Sequence, residues 1–400
     1  MQSSMGSAER LDRVGRDLLG AMKQVIASIP DAPRRPQNFA REVGVNKDVA
    51  SRLFAAMRSK DVLAAMHRMP GSAALRQVLG VAGAKGASED LVQGAHTALS
   101  AYDAFVRDHF EDRAGLDAFI GASLPHARRK LEAAAKQSIF RGAAVLKGVI
   151  SEAMLSTFIT FPSAKDGGQL CDLAVVNGFI GIRRVRPGAP IQFSHVSHTS
   201  DYDKPAAADL GEPFGSHVLG GFCSPPSPAL TVEREEKTVT YALQDTGVGP
   251  RSAVDMFTAD HFPSNYSRGR TAAAPGSRWF YAQPEYPTKV MVIDLFVRRD
   301  LWPDASPRLW IYDTDRRGVA SVNDRSRDRD RLETAENIEP LGTGTARARS
   351  EDIPRYDELL NFMFGRLGQQ ADEFRCYRCR IAYPVPSWQI TMEFSPPAES

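Results

Sequence analysis

Apolar residues in roughly the first 160 positions recur every three or four residues, and beyond about residue 165 the period shortens to two. The first pattern predicts helices and the second predicts strands. Over residues 8–28, Leu11, Val14, Leu18, Leu19, Met22, Val25 and Ile26 form one apolar stripe, and Pro30, Pro33 and Pro36 break it. Two short helices are predicted over 36–43 and 47–58. A short helix, a Pro70-Gly71 turn and another short helix follow, until Gly80, Gly83 and Gly86 loosen the chain near residue 86. Ser88 with Glu89 and Asp90 then opens a second helical block, because acids in a first turn face the positive end of the helix dipole. Leu91, Ala95, Ala98, Leu99, Tyr102 and Phe105 make its stripe, and a shorter helix covers 116–124. After Pro125, one long helix is expected through Leu131, Ala135, Ile139, Leu146, Val149, Ile150 and Met154.

Strands are predicted over 172–176 and 179–185, on either side of Asn177-Gly178, a dipeptide favoured in two-residue hairpin turns. Further strands are expected over 191–198, 237–243, 289–297, 308–312, 378–383 and 389–394, with loops rich in Pro, Gly, Ser and Asp between them. One helix interrupts them: Tyr356, Leu359, Leu360, Met363, Phe364 and Leu367 form a stripe that ends at Gly368. The mixed-charge run NDRSRDRDRLETAEN is expected to be a solvated or disordered loop.

Composition adds limits. Four hundred residues exceed what one core usually holds, so two or three domains are expected. The four cysteines are too few to build a disulfide scaffold of this size, which fits a reducing cytoplasmic setting. The N-terminus lacks the apolar core of a secretory signal. No apolar run reaches membrane-spanning length, so no membrane partner is expected. The net charge of +2 hides an asymmetry, since residues 1–80 carry 13 Lys and Arg against 7 Asp and Glu. Such an excess is the footprint of a module that neutralises phosphates.

That basic stretch contains Arg34 and Arg35, then Phe39, Ala40, Arg41, Glu42, Val43, Gly44, Val45, and further on Val49, Ala50, Ser51, Arg52, Leu53. A small residue lets two helices approach, a glycine turns the chain, and apolar residues lock the second helix on the first. The stretch resembles the helix-turn-helix of bacterial transcriptional regulators of the lac-repressor and IclR-like kind, over roughly 25 residues. It departs from that pattern at Ala50, where a larger Val or Ile is usual. The resemblance implies a recognition helix capped by Asn46, with Lys47, Asp48, Ser51 and Arg52 facing base edges and phosphates in a major groove. Arg34 and Arg35 are placed to touch the DNA backbone, and Asp48 is also a candidate ion-pair partner for Arg52, four residues on.

Other constellations are weaker. Cys376-x-x-Cys379 has the spacing of half a zinc site or of a redox pair, but a strand would send the two thiols to opposite faces. His195, His198, Asp201 and Asp203 are metal-capable but read as a polar loop at a strand end. His67 reads as a helix C-terminal histidine interacting with free carbonyls, and Arg183, Arg184 and Arg186 as solvated strand-edge charges. No phosphate loop, G-x-S-x-G elbow or H-E-x-x-H motif occurs, and GTGTAR carries only a G-x-G fragment.

The expected fold is α+β. An all-helical helix-turn-helix region spans 1–86, a helical spacer or dimerisation region spans 87–162, and a β-rich domain with one long amphipathic helix spans 163–400. The expected function is that of a cytoplasmic, non-enzymatic, homodimeric regulator without metal or cofactor. It would bind double-stranded DNA and respond to a small-molecule or protein effector. The alternative is a scaffold whose N-terminal helices bind another protein.

Overall fold

The computed structural model describes residues 7–30, 35–123, 125–165, 167–196, 218–235, 238–244, 247–272 and 275–397. The fold is α+β, and the chain divides into two compact units, Met1–Glu132 and Ala133–Ser400. Among the described residues, no helix is long and apolar enough to cross a membrane.

The first unit is helical: α1 Ser7–Ser28, α2 Pro36–Val43, α3 Lys47–Met57, α4 Val62–Arg68, α5 Ser72–Ala84, α6 Glu89–Phe110 and α7 Arg113–Ser123. The predicted stripes supply its core. Leu11, Leu18, Met22, Phe39, Leu53, Met66, Leu75 and Leu99 are fully buried in one cluster. The break expected near residue 86 falls inside this unit, because α6 packs along α1 and its Leu99 and Tyr102 share the core with Leu11 and Leu53. The division between the units lies within α8, Pro125–Lys147.

The helix expected to run on through Met154 ends at Lys147, and residues 149–162 form strand β1 instead. Ile150 and Met154 fit a helical spacing only because β1 is buried on both faces. Met154 and Phe158 enter one core while Leu155 and Ile159 enter another. A doubly buried strand shows no polar alternation.

The remaining strands are β2 Leu170–Arg184, β3 Gln192–Val196, β4 Leu230–Glu235, β5 Thr238–Leu243, β6 Val254–Ser267, β7 Arg278–Ala282, β8 Thr288–Arg298, β9 Arg308–Asp313, β10 Glu339–Thr343, β11 Phe374–Ala382 and β12 Trp388–Phe394. A six-stranded sheet runs β10-β11-β8-β1-β2-β6, with β1 and β8 parallel and its other pairs antiparallel. Two three-stranded sheets, β7-β12-β9 and β3-β5-β4, complete the set. Alternation along β8 sorts the layers. Met291, Ile293 and Leu295 pack with Phe280, Ile390 and Phe394 of the smaller sheets. Val292 and Phe296 pack with Leu359, Leu360 and Met363 of helix α9, Tyr356–Leu367, which ends at Gly368 as expected.

The hairpin expected at Asn177-Gly178 does not form, because β2 runs straight through both residues. Asn177 accepts a hydrogen bond from Ser156 Oγ at 2.9 Å across the β1–β2 pair. A Cβ on Gly178 would sit 2.6 Å from the Phe257 ring. This glycine serves close packing, not a turn.

Two charged segments are also more ordered than expected. Residues Arg325–Asp330 of the mixed-charge run form a 3-10 turn in which buried Arg327 donates to the Val319 and Gly318 carbonyls at 2.9 and 2.7 Å. Arg184 is buried, donating to the Ala189 and Leu243 carbonyls at 2.7 Å each, and Arg183 pairs with Glu152 at 2.7 Å. Leu243 and Glu152, which help to fix these two arginines, lie far from them in sequence.

Candidate nucleic-acid interface

Helices α2 and α3 meet edge-on through Phe39 and Phe54, whose ring centroids are 5.2 Å apart. Gly44 turns the chain between them at φ +72° and ψ +30°, where its N–H bonds to the Ala40 carbonyl. A side chain with a Cβ is strained there, so glycine suits the position. Val45 N–H reaches the same carbonyl at 3.1 Å. Asn46 caps α3, its Oδ1 accepting from Asp48 N–H at 2.7 Å. Ala50 is fully buried in the same core as Phe54, and Val49 and Met57 are partly buried against that core.

The period of α3 then separates two faces. Ala50, Leu53, Phe54 and Ala56 are buried, whereas Lys47, Asp48, Ser51 and Arg52 are exposed. Arg35 and Asn46 are exposed as well, and Arg34 lies outside the described residues. Arg41, Arg58, Lys60 and Arg68 add exposed cations from α2, α4 and the loop between α3 and α4.

Arg52 is exposed but engaged. It does not pair with Asp48. Its Nε donates to the Arg68 carbonyl at 3.3 Å and its Nη2 to the Met69 carbonyl at 3.1 Å. Arg113 Nη2 donates to the two preceding carbonyls, those of Met66 at 2.7 Å and His67 at 3.0 Å. The last carbonyls of a helix have no partner inside it, and cations are favoured at that end of the dipole. Two arginines, from α3 and α7, thus close the C-terminus of α4. The side chain of His67, expected to serve those carbonyls, instead lies with its Nδ1 3.4 Å from Asp117 Oδ1. Sequence reasoning missed Arg113, which lies 46 residues away and shows no local signal.

In the second unit, a buried ionic cluster joins Asp294, Arg378, Tyr356 and Thr157. Its members satisfy one another, which suits anchoring. Cys376 and Cys379 lie on opposite faces of β11, in the α9 core and the small-sheet core respectively. Among the described residues, no group of three or more His, Cys, Asp or Glu is arranged to hold a metal. His195 lies on β3, while His198, Asp201 and Asp203 are outside the described residues. No family model and no curated protein matches this chain.

Proposed function

We propose that the protein is a DNA-binding transcriptional regulator that reads duplex DNA through α3. One observation carries this reading: the N-terminal turns of α3 present Lys47, Asp48 and Ser51 to solvent while the opposite face is locked into the core. A helix in a major groove reads bases through its N-terminal turns, so it needs this division. The exposed cations Arg35, Arg41, Arg58, Lys60 and Arg68 suit the flanking phosphates. In this reading two copies act together and the second unit senses an effector or partner, by analogy with two-part regulators. The test is duplex binding by the full chain across ionic strength. Affinity should fall steeply with salt, and Lys47→Ala should weaken it.

A second reading, a protein-interaction scaffold, is favoured by α8, on one side of which Ile139 and Leu146 are 43% and 80% exposed. Binding indifferent to both salt and Lys47 would select it.

A further inference from the structure

We infer that α3 reads a G·C pair, through Lys47 and Asp48, and that Arg52 is withheld from the bases as the clamp on α4. The inference rests on the DNA-binding reading above and specifies its target. Major-groove edges are told apart by a short list of contacts. Arg or Lys donates to guanine O6 and N7. Asn or Gln pairs with both N6 and N7 of adenine. Asp or Glu accepts from cytosine N4, and an apolar side chain meets the thymine methyl.

The geometry of α3 removes several of these. The Nε and Nη2 of Arg52 are already bound to the carbonyls of Arg68 and Met69. A paired contact to adenine needs both ends of an Asn amide, and the Oδ1 of Asn46 is occupied by Asp48 N–H. Val49, the apolar residue of the first turn, packs against the core. Besides the engaged Arg52, the exposed side chains of the first two turns are a donor at Lys47, an acceptor at Asp48 and the hydroxyl of Ser51. A neighbouring donor and acceptor complement the guanine and the cytosine of one pair. Asp48 would repel a phosphate, so a base edge suits it better than the backbone. Arg52 is then a positioning residue that fixes α3 through α4.

The experiment selects bound sequences from random duplex DNA with the full chain, then measures affinity and its salt slope for the variants. The expected result is one invariant G·C pair in the selected sites. Lys47→Ala or Asp48→Ala should lose about tenfold in preference for that pair, the scale of one base contact. Arg52→Ala should keep the preference and the slope while lowering the melting temperature. If that variant does not fold, Arg52→Gln, which keeps an N–H donor without the charge, should behave as described. Selected sites lacking a shared G·C pair would overturn the inference alone. So would an Arg52 variant whose slope falls by about 0.9, the mark of one lost phosphate contact. Absence of salt-dependent binding to any duplex would remove the DNA-binding reading and this inference with it.

Discussion

Arg378 holds Asp294 by two parallel hydrogen bonds, Nε to Oδ1 at 2.8 Å and Nη2 to Oδ2 at 2.7 Å. The two residues face each other directly across the β8–β11 pair, and Asp294 has no exposed surface. Tyr356, at the start of α9, donates its hydroxyl to the same carboxylate at 2.8 Å, and that hydroxyl lies 2.8 Å from Thr157 Oγ1 on β1. The cluster therefore fastens α9 to the centre of the large sheet. Asp294→Ala should cost about 3–5 kcal/mol, because it leaves a buried guanidinium without its counter-charge. Tyr356→Phe should cost less, about 1–3 kcal/mol, since it removes two neutral-donor bonds and leaves Thr157 and the carboxylate each short of a partner but keeps the ion pair. Chemical denaturation of the full chain measures both, and a stable Asp294→Ala protein would show that α9 is held by apolar packing alone.

Gly178 offers a sharper test of the strand that replaced the expected turn. If the residue occupied a turn, alanine there would be strained by backbone conformation and the site would tolerate bulky neighbours. In β2 the obstacle is the buried Phe257 ring, 2.6 Å from where the Cβ would fall. Gly178→Ala should destabilise by about 1–3 kcal/mol, the scale of overpacking. Combining it with Phe257→Leu should recover part of that loss. Thermal unfolding of the two single variants and the double variant reads the coupling, and strict additivity would refute the contact.

Acid stability should depend on Asp172. Burial pushes its pKa up, but the polar contacts of His261, the Ser264 amide and Ser163 together outweigh burial and hold the carboxyl below its ordinary value. Ser264 N–H donates to Oδ1 at 2.8 Å, and His261 Nε2 lies 3.3 Å from Oδ2. A carboxylate with a depressed folded pKa adds stability that is complete above the unfolded pKa of about 3.9 and lost as pH falls through the folded value. Urea midpoints should therefore drop on acidification below about pH 4, and Asp172→Asn should flatten that drop. An unchanged acid limb in the variant would assign the loss to other carboxylates.

The first unit was largely legible because each of its helices carries its own apolar stripe and its own stop. Asn46, Gly44 and Pro36 mark helix ends by chemistry that acts within four residues. What escaped depends on distant partners. β1 was hidden because a strand buried on both sides loses its alternation. The sequence Asn177-Gly178 is compatible with a turn, and only Phe257, far along the chain, makes the glycine a packing residue. Charge was the least legible feature. Arg184, Arg278, Arg327 and Arg375 all donate to backbone carbonyls, a role that composition cannot separate from a solvated surface. At the candidate interface, Lys47, Asp48 and Ser51 were placed outward as expected, but the engagement of Arg52 needed α4 in view.

The outer face of α8 makes the proposed dimer testable. Ala135, Ile139, Gly142 and Leu146 follow one another at four-, three- and four-residue steps, so they line one side of the helix, and all four are exposed. The line is about 18 Å long. A strip of that size falls short of the roughly 800 Å² per partner of a stable interface, so pairing through α8 alone should be weak and concentration-dependent. Ile139→Asp combined with Leu146→Asp should lower self-association in sedimentation equilibrium. Both positions already face solvent, so the fold should survive. Affinity for a duplex bearing two half-sites should fall, while affinity for a single half-site stays unchanged. A wild-type chain that remains monomeric at about tenfold the dissociation constant measured for the two-half-site duplex would remove α8, and the dimer with it, from the mechanism.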